Sequence, residues 1–172
     1  MRNFDKDGRC VCEMQGQIFE ASLTKYNTSS AMFIRRFMNS NLAACMDDPA
    51  FLDRPFNPDD SYDLIDSEYG KSSYGKQKYS ADELFWIGYI YRYWAYTYEW
   101  TSRKVYRAAN GPEMRSVYYP YHSLDPAKAI ERILEAKQVP YKTDDIERGV
   151  KLLREIRLAE DALDPAMIYN RK

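Results

Sequence analysis

The segment 81–100 places the strongest constraint on how this chain folds. Between Leu84 and Tyr98 the only charged residue is Arg92, and aromatic residues occupy about half of the positions. If the segment is helical, apolar side chains surround its axis, and such a helix is normally buried on most of its sides. We therefore expect this segment to lie at the centre of the fold.

The start of this segment favours a helix over a strand. Ser80 followed by Glu83 is the capping-box pattern, in which each side chain bonds the backbone N–H of the other residue. A strand is the alternative, because tyrosine favours sheets and occurs here at alternate positions. The alternating residues are Tyr89, Tyr91 and Tyr93. The run is, however, much longer than a typical strand of about 5–6 residues. We predict a helix over residues 81–98.

Most other segments show the three- and four-residue apolar spacing that is typical of helices. The predicted helices lie within residues 11–26, 30–38, 58–69, 101–109, 126–134 and 143–163. Residues 118–122 are predicted to form an aromatic connector, with an extended conformation as one option. Because no long linker divides the chain, we predict a mainly α, compact multi-helix single domain over residues 1–172. It is built around the central aromatic helix, with residues 1–12 as a candidate flexible arm.

The composition favours binding over catalysis. The 172 residues include 16 tyrosines, but His122 is the only histidine. The formal charge of −1 excludes a globally basic nucleic-acid binder. Cys10 and Cys12 are the only close pair among three cysteines, whereas structural zinc commonly uses two such pairs. We predict no catalytic residue, no metal site, no cofactor and no enzymatic activity.

Two further patterns bear on the location of the protein. The cysteines have no disulfide-like spacing, so we expect reduced thiols and a cytoplasmic protein. The longest apolar run, Leu84 to Tyr91, is far shorter than the roughly 20 residues that span a membrane. We therefore expect no membrane partner.

The tyrosines of segment 81–100 are candidates for a protein-binding surface. Helical spacing places Tyr89, Tyr93, Tyr96 and Trp100 on one stripe, and it places Tyr91 and Tyr98 on another. If one stripe lies in the core, the other is partly exposed, and tyrosine and tryptophan dominate binding hot spots. The alternative is a core helix whose phenol hydroxyls reach the surface.

The helix predicted at 101–109 offers a nucleic-acid-binding alternative. A scaffold helix, a short break and a basic helix resemble a helix–turn–helix, in which the second helix contacts bases and phosphates. The candidate nucleic-acid-binding residues are Ser102, Arg103, Lys104 and Arg107. Segment 92–115 carries five basic and two acidic residues. A solvated basic helix explains the same pattern.

Residues 47–68 form an acidic segment with eight acidic residues and one basic residue, Arg54. Tyr62, Ile65 and Tyr69 are its predicted buried stripe. Its candidate acidic interface consists of Asp59, Asp60, Asp63 and Asp66. Such a surface would complement a basic partner or imitate nucleic-acid phosphates, as in a phage-type inhibitor. An exposed, solvated acidic helix is the alternative.

Several stretches within residues 29–136 resemble a small uncharacterised bacterial family. They are SSAMFIRRFMNS, SSYGKQKYS, LFWIGYIYRYWAYTYEWTSRKVYRA and YYPYHSLDPAKAIERILEA. That family is associated with gut bacteria and with operons that encode ADP-ribosyltransferase-like toxins and short helical companions. The resemblance implies an antidote or accessory role, with a toxin encoded nearby as the protein partner, and it carries over no catalytic residue. Our leading hypothesis is a non-enzymatic, antitoxin-like interaction module.

Overall fold

The computed structural model describes residues 1–138, and these residues are helical without a strand. The α-helices are α1 (Lys6–Lys25), α2 (Ser30–Asn39), α3 (Asn41–Met46), α4 (Ser61–Tyr69), α5 (Ala81–Tyr98), α6 (Ser102–Ala108), α7 (Gly111–Ser116), α8 (Tyr118–Tyr121) and α9 (Pro126–Ala136). Two short 3₁₀ helices, Pro49–Asp53 and Pro58–Asp60, connect α3 to α4. Residues 1–136 form one compact unit, so the mainly α, compact fold is confirmed. The helix predicted from Thr143 lies outside the described residues.

Helix α5 is the central element, as its apolar sequence predicts. Helix α1 packs along its length, and α6, α7 and α9 contact it from other sides. Its largest fully buried side chains are Tyr91, Arg92 and Trp94. Helix α2 adds the aromatic side chains Phe33 and Phe37, which pack edge-on against Phe19 of α1. The core therefore lies between α1, α2 and α5.

The capping residues fix where α5 begins and ends. The Ser80 hydroxyl accepts a hydrogen bond from the Glu83 N–H at 3.2 Å, and the Glu83 carboxylate accepts one from the Ser80 N–H at 2.7 Å. The predicted capping box is therefore confirmed. At the other end the chain leaves the helix through Glu99, which has a left-handed conformation with φ of 55°.

Replacing Ser80 with alanine tests this helix start. We expect the free energy of unfolding to fall by about 1 kcal/mol, because the Glu83 N–H loses its acceptor. Urea unfolding followed by circular dichroism measures the change. Ser116→Ala is the control, since Ser116 is an exposed serine at the end of a helix, and we expect it to stay within about 0.5 kcal/mol of the parent chain. Equal effects of the two substitutions would contradict the capping role.

Residues 118–121 of the aromatic connector are helical, so the extended conformation considered above is wrong. The Tyr121 N–H donates to the Val117 carbonyl at 3.1 Å, and the His122 N–H donates to the Tyr118 carbonyl at 2.7 Å. Pro120 fits because it lies in the first turn of α8, where backbone N–H groups have no partner within the helix. Gly111 and Pro112 form the first turn of α7, which follows the Asn110 cap.

The first residues of the chain pack onto α5. The Arg2 N–H donates to the Thr97 carbonyl at 2.8 Å, and the Tyr96 hydroxyl donates to the Asp5 carboxylate at 2.6 Å. Residues 6–12, considered above as part of a flexible arm, form the first turns of α1, with Val11 and Cys12 buried. The N-terminus therefore covers part of the aromatic helix.

Within residues 1–138, no helix is both long enough and apolar enough to span a membrane.

Candidate interaction surfaces

Five aromatic side chains form a continuous row, of which four come from α5 and one from the N-terminal residues. The ring centroids of Phe85 and Tyr89 are 6.2 Å apart with planes 28° apart, and those of Tyr89 and Tyr93 are 6.5 Å apart with planes 21° apart. Phe4 extends the row, with its centroid 4.6 Å from Tyr93 and 6.3 Å from Tyr96. All five rings are half-buried. We call these five residues the aromatic ladder.

The row follows from helical spacing and from two glycines of α1. Residues 85, 89, 93 and 96 repeat at intervals of four and three, which places them on one face of a helix. A Cβ at Gly16 would lie 2.9 Å from the Phe85 ring, and one at Gly8 would lie 2.7 Å from the Tyr96 ring. The Phe85 and Tyr96 rings therefore lie against α1, and the Tyr89 and Tyr93 rings between them contact their neighbours in the row.

The ladder is electrically neutral at neutral pH. Burial raises the pKa of Tyr89 and of Tyr93. Burial, together with the hydrogen bond to Asp5, raises the pKa of Tyr96 to about 12. The phenols therefore stay protonated, and the surface offers apolar rings with hydroxyl groups. Such amphipathic, rigid side chains suit protein recognition.

The six predicted partner-binding residues divide into three groups. Tyr89, Tyr93 and Tyr96 belong to the ladder. Tyr91 was wrongly included, because its side chain is fully buried and its hydroxyl donates to the Ala109 carbonyl at 2.7 Å. Tyr98 and Trp100 are half-buried in a separate cluster around Trp94, with centroid distances of 6.4 Å and 5.9 Å from it.

Trp100 leaves the predicted stripe for a physical reason. The left-handed backbone of Glu99 ends the helix, so helical spacing no longer applies to residue 100. Two further members of the row, Phe4 and Phe85, were not predicted. Phe85 could have been found from its position four residues before Tyr89, whereas no local signal places Phe4 against Tyr93.

The predicted nucleic-acid-binding residues do not share one surface. Ser102 is 1% exposed, and its hydroxyl and backbone N–H both donate to Asp47, at 2.6 and 2.8 Å. Lys104 lies over the Trp100 ring, with its Nζ 3.8 Å from the ring centroid. Arg103 and Arg107 are exposed. The inclusion of Ser102 is therefore wrong.

Arg92, counted above among the basic residues of segment 92–115, is buried. Its Nη1 lies 2.7 Å from the Asp47 carboxylate. Its Nε donates to the Gln15 side-chain oxygen at 2.8 Å, and its Nη2 donates to the Ser102 hydroxyl at 3.0 Å. These contacts join α1, α5 and α6 to the residue that follows α3, and Arg92 adds no positive charge to the surface.

Two of the four predicted interface acids already interact with basic side chains. Asp59 accepts a bond from Lys25 at 2.5 Å, and Asp66 accepts one from the Tyr26 hydroxyl at 2.8 Å and lies 3.9 Å from Arg36. Asp60 accepts a bond from Asn57, and Asp63 is exposed. Tyr62 and Ile65 are buried as predicted, but Tyr69 is exposed. Because Lys25 and Arg36 already lie beside Asp59 and Asp66, these two carboxylates are partly neutralised, which weakens the phosphate-mimic hypothesis.

His122 and the three cysteines lie outside these surfaces. His122 stacks on Tyr118, with a centroid distance of 4.9 Å. Burial raises the pKa of the Cys12 thiol to about 12, so this thiol is protonated and unreactive. Cys10 and Cys45 are exposed thiols. Over residues 1–138, no group of three or more His, Cys, Asp or Glu side chains is placed to hold a metal ion.

Comparisons with known proteins identify no relative. No protein-family model, no curated protein and no solved structure matches the chain. The class of protein is defined by the fold and the composition alone: a mainly α-helical protein rich in tyrosine.

Proposed function

We propose that this chain is a non-enzymatic, antitoxin-like interaction module that binds a partner protein through the aromatic ladder and neutralises or regulates it. The observation that carries this proposal is a row of rings held on one side by α1 and half-exposed on the other. Because the rings are already fixed, binding would cost little additional side-chain entropy. Hot spots commonly consist of such pre-positioned aromatic side chains.

Charged residues surround the ladder, as in a protein interface. Arg9 and Glu13 are exposed on α1 and interact electrostatically with Tyr89, and the exposed Asp125 interacts with Tyr93. An apolar centre with a polar rim is typical of protein–protein interfaces. From Phe85 to Tyr96 the row is about 16 Å long, at 1.5 Å per helical residue. An open row of this length favours a helix or another extended surface over a small ligand.

The partner we propose is an ADP-ribosyltransferase-like toxin encoded nearby, as the sequence resemblance implies. A neutralising protein must bind the folded toxin and block its activity. Co-expression is therefore expected to restore growth of cells that produce the product of the adjacent gene, and the two purified proteins are expected to co-elute. Restored growth without complex formation would contradict the proposal.

The double substitution Tyr89→Ser with Tyr93→Ser tests the role of the ladder. We expect affinity for the adjacent-gene product to fall by at least about 100-fold, because hot-spot side chains each contribute about 2 kcal/mol or more. Isothermal titration calorimetry measures the affinity, and growth rescue measures neutralisation. The matched control is Tyr74→Ser with Tyr119→Ser, which removes two rings that are 72% and 77% exposed and lie outside the ladder.

A second variant covers the case in which the serine substitutions disturb folding. Glu13→Arg changes an exposed charge beside the ladder and leaves its rings in place. We expect it to alter the association rate and its dependence on salt, as rim charges do. The ladder is not the binding site if neither this variant nor a folded serine variant changes binding, or if the control pair weakens binding equally.

A further inference from the structure

A cleft between α2 and α6 combines arginine and tyrosine side chains. Its volume is about 570 Å³, and its lining includes Arg35, Arg36, Tyr69, Tyr106 and Arg107. We call these five residues the basic–aromatic cleft. Sites for small ligands usually have volumes of about 300–1,000 Å³, so a nucleotide-sized molecule fits. The cleft is separate from the ladder, because none of its lining residues belongs to α5.

The positive charge of the cleft exceeds the negative charge beside it. Arg35 and Arg107 are exposed, and within the described part of the chain neither has a carboxylate within 4.0 Å. Arg36 is fixed, since its Nη1 donates to the Gly70 carbonyl at 2.8 Å and to the Tyr26 hydroxyl at 2.9 Å. At the edge of the cleft, Arg103 donates to the Asn39 carbonyl at 2.8 Å.

Three carboxylates lie near these four guanidinium groups and the two tyrosines, and each already has a partner. Glu113 interacts electrostatically with Tyr106 and accepts a hydrogen bond from the Asn110 N–H at 2.8 Å. Asp66 accepts the Tyr26 hydroxyl and lies 3.9 Å from Arg36. Glu68 accepts a hydrogen bond from the Asn41 N–H at 2.8 Å. Mutual repulsion among the arginines is therefore incompletely compensated within these residues, and an anion in the cleft would relieve it.

The two tyrosines give the cleft flat, uncharged surfaces. Tyr69 is 39% exposed, and its ring centroid lies 5.7 Å from the Arg36 guanidinium. Tyr106 is half-buried beside Tyr91, with a centroid distance of 6.4 Å. Burial raises the pKa of both phenols, so they stay neutral at neutral pH and can stack on an aromatic ring.

We propose that the basic–aromatic cleft binds a phosphorylated nucleoside, either as a free nucleotide or as one unit of a single-stranded nucleic acid. The planar guanidinium groups of Arg35 and Arg107 suit bidentate hydrogen bonding to phosphate. The Tyr69 ring offers a platform for the base, as in proteins that bind single strands. Inorganic phosphate or an acidic peptide would use the arginines and leave the tyrosine surface unused.

Fluorescence anisotropy with two probes tests this site in the full chain. The probes are N-methylanthraniloyl-AMP and a fluorescein-labelled oligothymidylate of roughly a dozen nucleotides. We expect at least one probe to bind, and Arg35→Ala with Arg107→Ala to weaken that binding by at least about tenfold. Tyr69→Ser should weaken it roughly 5- to 100-fold, whereas Tyr69→Phe should retain it. Preference for one probe distinguishes the free nucleotide from the strand.

The control is Arg54→Ala with Arg132→Ala, which removes the same charge from two exposed arginines outside the cleft. Unchanged thermal unfolding shows that each variant is folded, as expected for substitutions at exposed positions. The proposal is overturned if neither probe binds the parent chain, or if the control pair weakens binding as much as the cleft pair. It is also overturned if inorganic phosphate or a glutamate-rich peptide competes as strongly as AMP and Tyr69→Ser has no effect.

Discussion

Replacing Arg92 with leucine is expected to lower the free energy of unfolding by roughly 3–5 kcal/mol, the usual cost of removing one partner of a buried ion pair. Arg92 is 1% exposed in the middle of α5, and it bonds Asp47, Gln15 and Ser102 at distances of 2.7 to 3.0 Å. Without the guanidinium, the partly buried Asp47 carboxylate loses its cation. The oxygens of Gln15 and Ser102 also lose a donor, and unsatisfied buried groups are costly.

A double-mutant cycle separates the ion pair from general packing. Asp47→Ala alone should also destabilise the protein, but Arg92→Leu combined with Asp47→Ala should cost less than the sum of the two, because the double variant leaves neither charge unpaired. Arg54→Leu is the control, since Arg54 is 61% exposed in its salt bridge with Asp48, and exposed pairs contribute about 0–1 kcal/mol. Urea unfolding supplies all values. Additive effects, or an Arg92→Leu cost below 1 kcal/mol, would contradict this role.

Features that depend on neighbouring residues could be predicted from the sequence. The bounds of α5 follow from the Ser80 cap and the aromatic run, and α9 begins at residue 126, where its predicted range starts. Each of these signals acts within one or two helical turns, so it does not require knowledge of the tertiary structure. The mainly α class followed for the same reason.

Features that depend on distant partners could not be predicted. Arg92 resembled a surface charge because Asp47, its partner, lies 45 positions away. Tyr91 resembled its neighbouring tyrosines, although its hydroxyl has an acceptor at Ala109 that spacing alone does not reveal. The aromatic row on α5 could be derived in part, because Tyr89, Tyr93 and Tyr96 share one helix.

The basic–aromatic cleft had no sequence signal as a unit. Its arginines come from α2 and α6, and Tyr69 comes from the end of α4. Tyr69 was predicted to lie in a buried stripe because it follows Tyr62 and Ile65 at helical spacing. The last turn of α4 instead leaves this ring exposed. The packing of both α6 and α4 against α2 brings these side chains together.

Replacing Gly88 with leucine is expected to destabilise the protein by about 3 kcal/mol or more, at the upper end of the cost of overpacking. Gly88 lies where α1 crosses α5, and a Cβ there would be 2.7 Å from the Gln15 carbonyl oxygen and 2.9 Å from the Phe19 Cβ. Neither atom can move without displacing α1, because the first is backbone and the second is attached directly to it. Chemical unfolding measures the cost.

Alanine at position 88 separates crowding from helix propensity. Glycine to alanine in a helix interior is favourable by about 1 kcal/mol, so any loss of stability in Gly88→Ala reports the collision with α1. Gly111→Ala, at the first residue of α7, is the control for adding a Cβ without a collision, since that Cβ would meet the Ile34 side chain at 3.3 Å and no closer atom. We expect Gly88→Ala to be less stable than the parent chain and Gly111→Ala to remain within about 1 kcal/mol.

The crossing of α1 and α5 is also linked to the Arg92 network. The Gln15 side-chain amide donates a hydrogen bond to the Gly88 carbonyl at 3.0 Å, and the Gln15 side-chain oxygen accepts one from Arg92. Displacing α1 should therefore weaken the Arg92 network too, so Gly88→Ala and Arg92→Leu should be non-additive; strict additivity would show that the crossing and the network are independent.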